Sequence, residues 1–329
     1  MISALLILYP LMVDWAAWSV MRVLIGFCFS GIYVTSESWL NNTASNETRG
    51  QALSLYMIVQ MLGIIASQGL LSLGDPTGYA LFIIPSILVS LAFMPLLLAD
   101  TPAPTFNTIQ PMSFRALFRI SPLGCVGMLL TGGVYSAMFG MASVYGAMSA
   151  MTIGQIASFV AAMYVGGLLF QYPVGWISDQ LDRRVLVLWL SVAGAVVMAV
   201  ATVIRLPFTF ELIVALLLGG IINPLYSLLI AHTNDFLTKE EMPAASAGLI
   251  FLNGFGAIFG PLSLGWIMQQ VGAKGYFLFI GLLFSALAGY VGWRMTRRAG
   301  PVHTGGYTGL TPTASSLAVG AVLDAEPRR

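Results

Sequence analysis

Residues 185–204 read VLVLWLSVAGAVVMAVATVI, a run without a charged side chain, fenced by Asp182-Arg183-Arg184 before it and Arg205 after it. A helix needs about 20 apolar residues to cross the hydrocarbon of a bilayer. This run is continuous rather than alternating, so it reads as a spanning helix and not as a barrel strand. Nine further runs of this kind lie around it, at about 1–13, 18–40, 50–74, 78–99, 122–148, 153–177, 208–232, 245–271 and 275–294. The first is only half a span long.

Composition agrees. Of the 329 residues 58% are hydrophobic and 8% are charged, where soluble domains carry about a quarter charged. So few ions cannot cover a water-facing surface of this size, so most of the surface must meet lipid. The net charge of +1 gives no electrostatic handle for nucleic acid. Cys28 and Cys125 both lie inside apolar runs and have neither disulfide-framework nor metal-site spacing. No Lys or Arg precedes the first run, so it is not a secretory signal.

The basic residues set the orientation. With Met1 on the cytoplasmic side, eleven of the fourteen Lys and Arg fall on inner segments, leaving Arg22, Arg205 and Lys274 outside. That is a positive-inside pattern and predicts a cytoplasmic C-terminus. Trp15 and Trp18 flank the first outer turn, as interfacial aromatics do. The Asn41 and Asn46 glycosylation patterns face inward and are chance matches. Residues 1–99 form a first bundle of four helices and 100–121 an inner linker. Residues 122–298 form a second bundle of six, and 299–329 a polar tail expected to be disordered.

An internal repeat runs at a constant offset of 193 residues. Gly26 pairs with Gly219, Tyr33 with Tyr226, Asn41 with Asn234, Glu47 with Glu240, Gln60 with Asn253 and Gly63 with Gly256. An even number of spans separates the copies, so the repeat is parallel, as in two halves related by an axis along the membrane normal. The spans at 122–148 and 153–177 then pair with positions ahead of Met1, so two helices are expected to be missing from the first half.

Gly175-Trp-Ile-Ser-Asp179-Gln-Leu-Asp182-Arg183-Arg184 resembles the inner-loop signature of the major facilitator superfamily, in a bacterial branch close to drug- and sugar-type exporters. The resemblance covers about residues 1–298, and it implies an all-α polytopic fold of two bundles, here with about ten helices, four and six. It implies that Gly175, Asp179, Arg183 and Arg184 form a latch that stabilises one of two access states; the family has Gly where this chain has Asp182. A plain positive-inside loop explains the two arginines but not Gly and Asp at that spacing. Arg22-Val-Leu-Ile-Gly26 resembles the Arg and Gly of the fourth-helix motif of proton-coupled drug antiporters, with Ile25 in place of the family's glutamine. The resemblance implies a part for Arg22 in proton transfer. Gly256, Gly260 and Pro261 are similar to the Gly-Pro bend of antiporters, though on the eleventh family helix instead of the fifth.

Polar residues on apolar helices mark the path of a solute. Arg22, Gly26, Ser30, Tyr33, Glu37 and Asn41 recur at helical spacing and form one stripe. Gly219, Asn223, Tyr226 and Asn234 form the matching stripe on the partner span, while Tyr56 and Gln60 face Asn253 by the same logic. Such stripes must turn away from lipid, and the substrate cavity is placed at Tyr33, Glu37, Gln60, Asn223, Tyr226 and Asn253. Arg22 and Glu37 are the candidates for proton coupling, yet either can instead snorkel to a headgroup layer. Tyr33 and Tyr226 can pack simply as core, and His232, at an inner helix end, can be a solvated or capping residue.

The expected activity is secondary transport of a small organic solute by alternating access, with proton-coupled efflux as the suggested mode. The alternative is a truncated, transport-incompetent membrane protein from a misassigned gene start. No Walker motif is present, and two histidines with scattered acids do not make an enzyme's active site, so neither catalytic residues, a metal nor a cofactor is expected. The expected protein is a monomer in the bacterial inner membrane, with lipid and its solute as its only partners.

Overall fold

The computed structural model of the chain describes residues 1–43, 49–75, 78–98, 112–204, 207–238 and 241–297. The tail, the linker segment 99–111, the pairing of Glu47 with Glu240, residues Arg205, Lys239 and Arg298, and the side chains of Asn41 and Arg49 lie outside that description.

Among the described residues twelve helices follow one another: α1 Ile2–Leu8, α2 Trp15–Thr43, α3 Arg49–Leu73, α4 Ala80–Leu98, α5 Phe114–Ile120, α6 Pro122–Gly140, α7 Ala142–Met148, α8 Ile153–Ser178, α9 Arg183–Val203, α10 Phe208–Asn234, α11 Met242–Val271 and α12 Gly275–Arg297. Among the described residues no strand occurs. Of the described helices, seven are long and apolar enough to cross a membrane: α2, α6 and α8 to α12. The apolar stretches of α3 and α4, Leu55–Leu71 and Ala80–Pro95, are shorter and sit near the lower limit of about 17 residues for a span. α1 is seven residues long. Pro10 follows it, and a proline cannot continue the hydrogen-bond ladder; the chain turns instead, with the Leu11 amide donating to the Leu8 carbonyl.

The span expected at 122–148 is two helices. Met141 leaves helical geometry at φ −115°, ψ 3°, directly after Gly140, a weak helix former. The broken end is held by packing: Tyr145 of α7 stacks on Tyr276 at 4.8 Å and donates to Glu211 at 3.0 Å.

Helix starts follow ordinary capping chemistry. Ser113 caps α5, Ser121 caps α6 with Pro122 in the first turn, Thr152 and Gln155 form a capping box on α8, and Asp182 caps α9. Asp182 does so at φ −58°, so this turn needs no left-handed backbone and the family's glycine is dispensable here.

α10 is the central strut. Every residue from Leu218 to Asn234 is buried, because α6, α8 and α9 all pack around it. Two seams are glycine-tight. A Cβ on Gly219 would lie 1.8 Å from the Met163 carbonyl oxygen, and one on Gly166 would lie 1.9 Å from that of Leu216, closing α8 on α10. Gly132 and Gly256 close α6 on α11 in the same way. Without a hydrophobic force between helices in lipid, such backbone approach is how spans adhere. α1, α2 and α4 share a small core of Leu5, Tyr9, Met21 and Ile25, and Ser3 bonds Ser86 across α1 and α4 at 2.6 Å. α3 packs on α8 and joins these helices to the rest.

The outward faces are apolar. Trp189, Val196 and Val203 on α9, and Phe251, Phe255, Phe259 and Trp266 on α11, are exposed. A surface of this kind meets lipid.

Gly219→Ala is therefore expected to destabilise the protein by about 1–3 kcal/mol, read as a lower melting temperature in detergent. Gly289→Ala, where a Cβ meets nothing within 4 Å, is expected to be neutral or stabilising by up to about 1 kcal/mol.

Candidate functional site

The polar stripe of α2 divides along its length. Arg22, Gly26 and Ser30 are exposed, Tyr33 is half-buried, and Glu37 is fully buried. Fifteen residues of helix separate Arg22 from Glu37, about 22 Å, so the two charges do not meet.

Glu37 gathers tyrosines from several helices. The Tyr56 hydroxyl of α3 hydrogen-bonds its carboxylate, and Tyr226 of α10 lies close enough to interact with it electrostatically. Tyr33 stands in the same relation to Tyr56 and to Tyr164 of α8. Gln60, half-buried, sits one turn beyond Tyr56 on α3. The structure thus brings Tyr33, Glu37 and Tyr226 together, and adds Tyr56 and Tyr164.

Behind Tyr226 the wall is aromatic and hydrogen-bonded. Tyr135 of α6 meets Tyr226 edge-on at 5.9 Å and donates to Asn223 Oδ1 at 3.0 Å, while Asn223 Nδ2 donates to the Gly219 carbonyl at 3.0 Å. Phe139 stacks between Tyr135 at 6.1 Å and Tyr164 at 4.4 Å. Gln171 of α8 donates to Ser227 at 3.0 Å. Asn223 is thereby held as a rigid support with its amide nitrogen used inside α10.

Four expected residues stand in other company. Asn253 is buried against α6, its amide donating to the Met128 carbonyl at 3.1 Å and to Thr131 at 3.3 Å. A Cβ on Gly256 would lie 1.9 Å from the Leu129 carbonyl oxygen, and one on Gly260 2.9 Å from that of Gly133. Pro261 lies within α11, which remains one helix. These residues make the α6·α11 seam, and the whole seam is where that helix pair is fixed.

At the end of α8 the signature residues gather around a buried ion pair. Arg183 is 1% exposed. Its guanidinium pairs with Asp235 at the end of α10, donates to the Ala231 carbonyl at 3.2 Å and reaches Ser178 Oγ at 3.4 Å. Arg184 pairs with Asp182 at 2.6 Å, and that guanidinium holds the Asp182 carboxyl below the usual carboxylate range. Gly175 is buried beside them and Asp179 ends α8, exposed, with its amide on the Gly175 carbonyl. The ion pair tying α9 to α10 thus runs from Arg183 to Asp235.

Asp235 escaped the sequence reading, although a signal exists. An acid at a helix C-terminus opposes the helix dipole, so Asp235 after Asn234 calls for a cation, and Arg183 is at the same membrane end. Tyr135, Phe139 and Tyr164 had no signal, since isolated aromatics in apolar runs look like any core residue.

Comparison with known proteins places this arrangement. Residues 147–323 match the family described as Major Facilitator Superfamily. YfkF of Bacillus subtilis (strain 168), described as an uncharacterized MFS-type transporter, is 25% identical over 280 residues, spanning 82% of this chain and 70% of the relative. An uncharacterized MFS-type transporter of Yersinia pestis (strain Pestoides F) is 27% identical over 274 residues, with the same coverage. Among solved structures, an outward-facing FucP superposes with a TM-score of 0.55 at 13% identity, over 89% of this chain and 80% of that one. The last likeness is one of fold.

Removing one partner of a buried pair leaves a stranded charge, which costs about 3–5 kcal/mol. Arg183→Ala and Asp235→Ala are each expected to show a loss of that order in denaturant unfolding. The double replacement is expected to cost clearly less than the two losses added together.

Proposed function

The chain belongs to the major facilitator superfamily, and from that premise we propose that it carries a small organic solute through the bacterial inner membrane by alternating access, in exchange for protons. The family membership makes it a multi-pass transporter; the solute, the coupling and the direction, taken as efflux, are the proposal.

One observation carries the reading: a buried carboxylate, Glu37, met by Tyr56 of α3 and Tyr226 of α10, with Tyr33 and Tyr164 next to these, in the interior of an otherwise apolar bundle. A charge at that depth costs about 2.5–3.5 kcal/mol on insertion scales, so idle placement is selected against. Protonation removes the cost. A carboxyl that exchanges its proton when the cavity opens to one side or the other couples solute movement to the proton gradient. Glu37, rather than the exposed Arg22, takes this role. Tyr33, Tyr164 and Tyr226 offer ring faces and hydroxyls, which suits a solute with an apolar body and a few polar groups. Asn223 holds Tyr135 against Tyr226 and shapes the wall. Gly175, Asp179, Arg183, Arg184 and their partner Asp235 act as the latch, since the pair between α9 and α10 must loosen when this end opens. The C-terminus is cytoplasmic and the working unit is a monomer.

Purified protein in proteoliposomes, given a panel of labelled solutes with and without a proton gradient, tests the proposal. Glu37→Gln is expected to abolish gradient-driven accumulation while leaving solute exchange at equal concentrations. Tyr226→Ala is expected to raise the half-saturating concentration about tenfold, the factor for roughly 1.4 kcal/mol of lost contact. Gradient-driven transport that survives Glu37→Gln contradicts the coupling role.

A further inference from the structure

Beside the charge network, at the end of the bundle where α6 begins and α10 and α12 finish, a shallow cleft is lined by Ser121, Pro122, Arg184, His232, Phe236 and Arg294 among others. The solute-binding tyrosines are not part of it. We propose that this cleft binds a phosphate oxyanion, carried by an anionic lipid headgroup or present as free phosphate, and that binding ties together the ends of α6, α9, α10 and α12.

Charge accounting supports an anion. Two acids at this end pair with cations, Asp182 with Arg184 and Asp235 with Arg183, while a third, Asp179, is exposed at the end of α8 and is not among the residues that line the cleft. Arg294 faces a lining that holds no acid. It is half-buried, lies 5.8 Å from the Trp293 ring centre, and among the described residues makes no ion pair. His232 adds a second nitrogen group at the wall, 4% exposed, and the 19-residue helix α6 begins there. A helix start carries partial positive charge, which favours an anion, although here Pro122 has no N–H and the Gly124 amide is already bonded to Ser121 Oγ. Arg294, joined by the part of the Arg184 guanidinium that is turned away from Asp182, suits phosphate, since arginine offers planar paired donors to its oxygens.

Position favours lipid as the carrier. The cleft sits at the ends of membrane-spanning helices, with Trp293 exposed on α12 next to Arg294, the level at which headgroups lie. An anion held there draws Arg294 of α12 toward Arg184 of α9 and the start of α6, beside the pair that closes α9 on α10. Bound phosphate thus stabilises the state in which this end is shut.

The test uses the full chain in neutral detergent and follows its unfolding by tryptophan fluorescence. Three additions are compared: phosphatidylglycerol, phosphatidylcholine and inorganic phosphate. Phosphatidylglycerol is expected to raise the melting temperature by several degrees more than phosphatidylcholine. Arg294→Gln is expected to weaken that effect about tenfold in lipid concentration, as loss of one charged hydrogen bond does, while Arg297→Gln retains it. An equal rise with millimolar inorganic phosphate, also lost in Arg294→Gln, assigns the site to free phosphate and likewise supports it. Stabilisation that persists undiminished in Arg294→Gln, or no response to either phosphate source, overturns the proposal. Should the glutamine variant not fold, native mass spectra of the wild-type chain decide: retained phosphatidylglycerol displaced by inorganic phosphate supports the site, and no retained lipid with no phosphate adduct refutes it. None of these readouts depends on transport, so the site stands or falls apart from the transport proposal.

Discussion

Hydrocarbon offers no hydrogen bonds, and this one fact organises the molecule. Every polar group placed at membrane depth must find a partner within the protein or face water. Backbone groups are satisfied by helices alone. Polar side chains then have two acceptable positions: a seam, where a neighbouring backbone takes them up, or an interior shared by several helices. Asn253, Ser191 and Thr202 take the first course, bonding to carbonyls of α6 or of their own helix. Glu37, Tyr56, Tyr226 and Tyr135 take the second. Packing by glycine serves the same end, since backbones that nearly touch leave no room for lipid between them.

The seams also explain which parts are rigid. α10 is gripped along most of its length by α6, α8 and α9, and its glycine contacts with α8 leave no slack for a methyl group. Pairs fixed so tightly move as bodies. Arg183 and Asp235, their side chains buried, join α9 to the end of α10 by charge. A charge pair can be traded for water, while a glycine seam cannot. The transport cycle proposed above calls for both kinds of contact.

Much of this was readable in advance. The apolar runs of 185–204, 208–232 and 245–271 appear as α9, α10 and α11 within three residues at each end, because length and hydropathy alone decide a span. Spacing and the repeat put Tyr33, Glu37 and Tyr226 on matching helix stripes, and in the structure Tyr226 lies near Glu37, with Tyr33 and Glu37 both near Tyr56. Gly140 alone does not mark the break at Met141, since glycines are common in these spans, and the contacts of Tyr145 with Tyr276 and Glu211 that hold the broken end are distant in sequence. The repeat also overreached at Asn253 and Gly256. The first-half counterpart of Gly256, Gly63, does not share its surroundings: a Cβ on Gly63 meets nothing within 4 Å. A pattern match gives position on a helix face, and the neighbour opposite that face decides what a residue does. Asp235 shows the converse: its neighbour Arg183 was singled out, but the pairing needed the end of α10 in place.

The central claim is that the tyrosines around Glu37 border a water-reachable path while the faces of α9 and α11 meet lipid. Single-cysteine labelling in cells tests it most directly, in a background with Cys28 and Cys125 replaced and with a membrane-impermeant thiol reagent. Cysteine at Tyr33 or Tyr226 is predicted to react and to be protected by a transported solute, while cysteine at Trp189 or Phe255 stays unreactive. Reaction at the α9 and α11 positions, with none at Tyr33 and Tyr226 from either side of the membrane, contradicts the account.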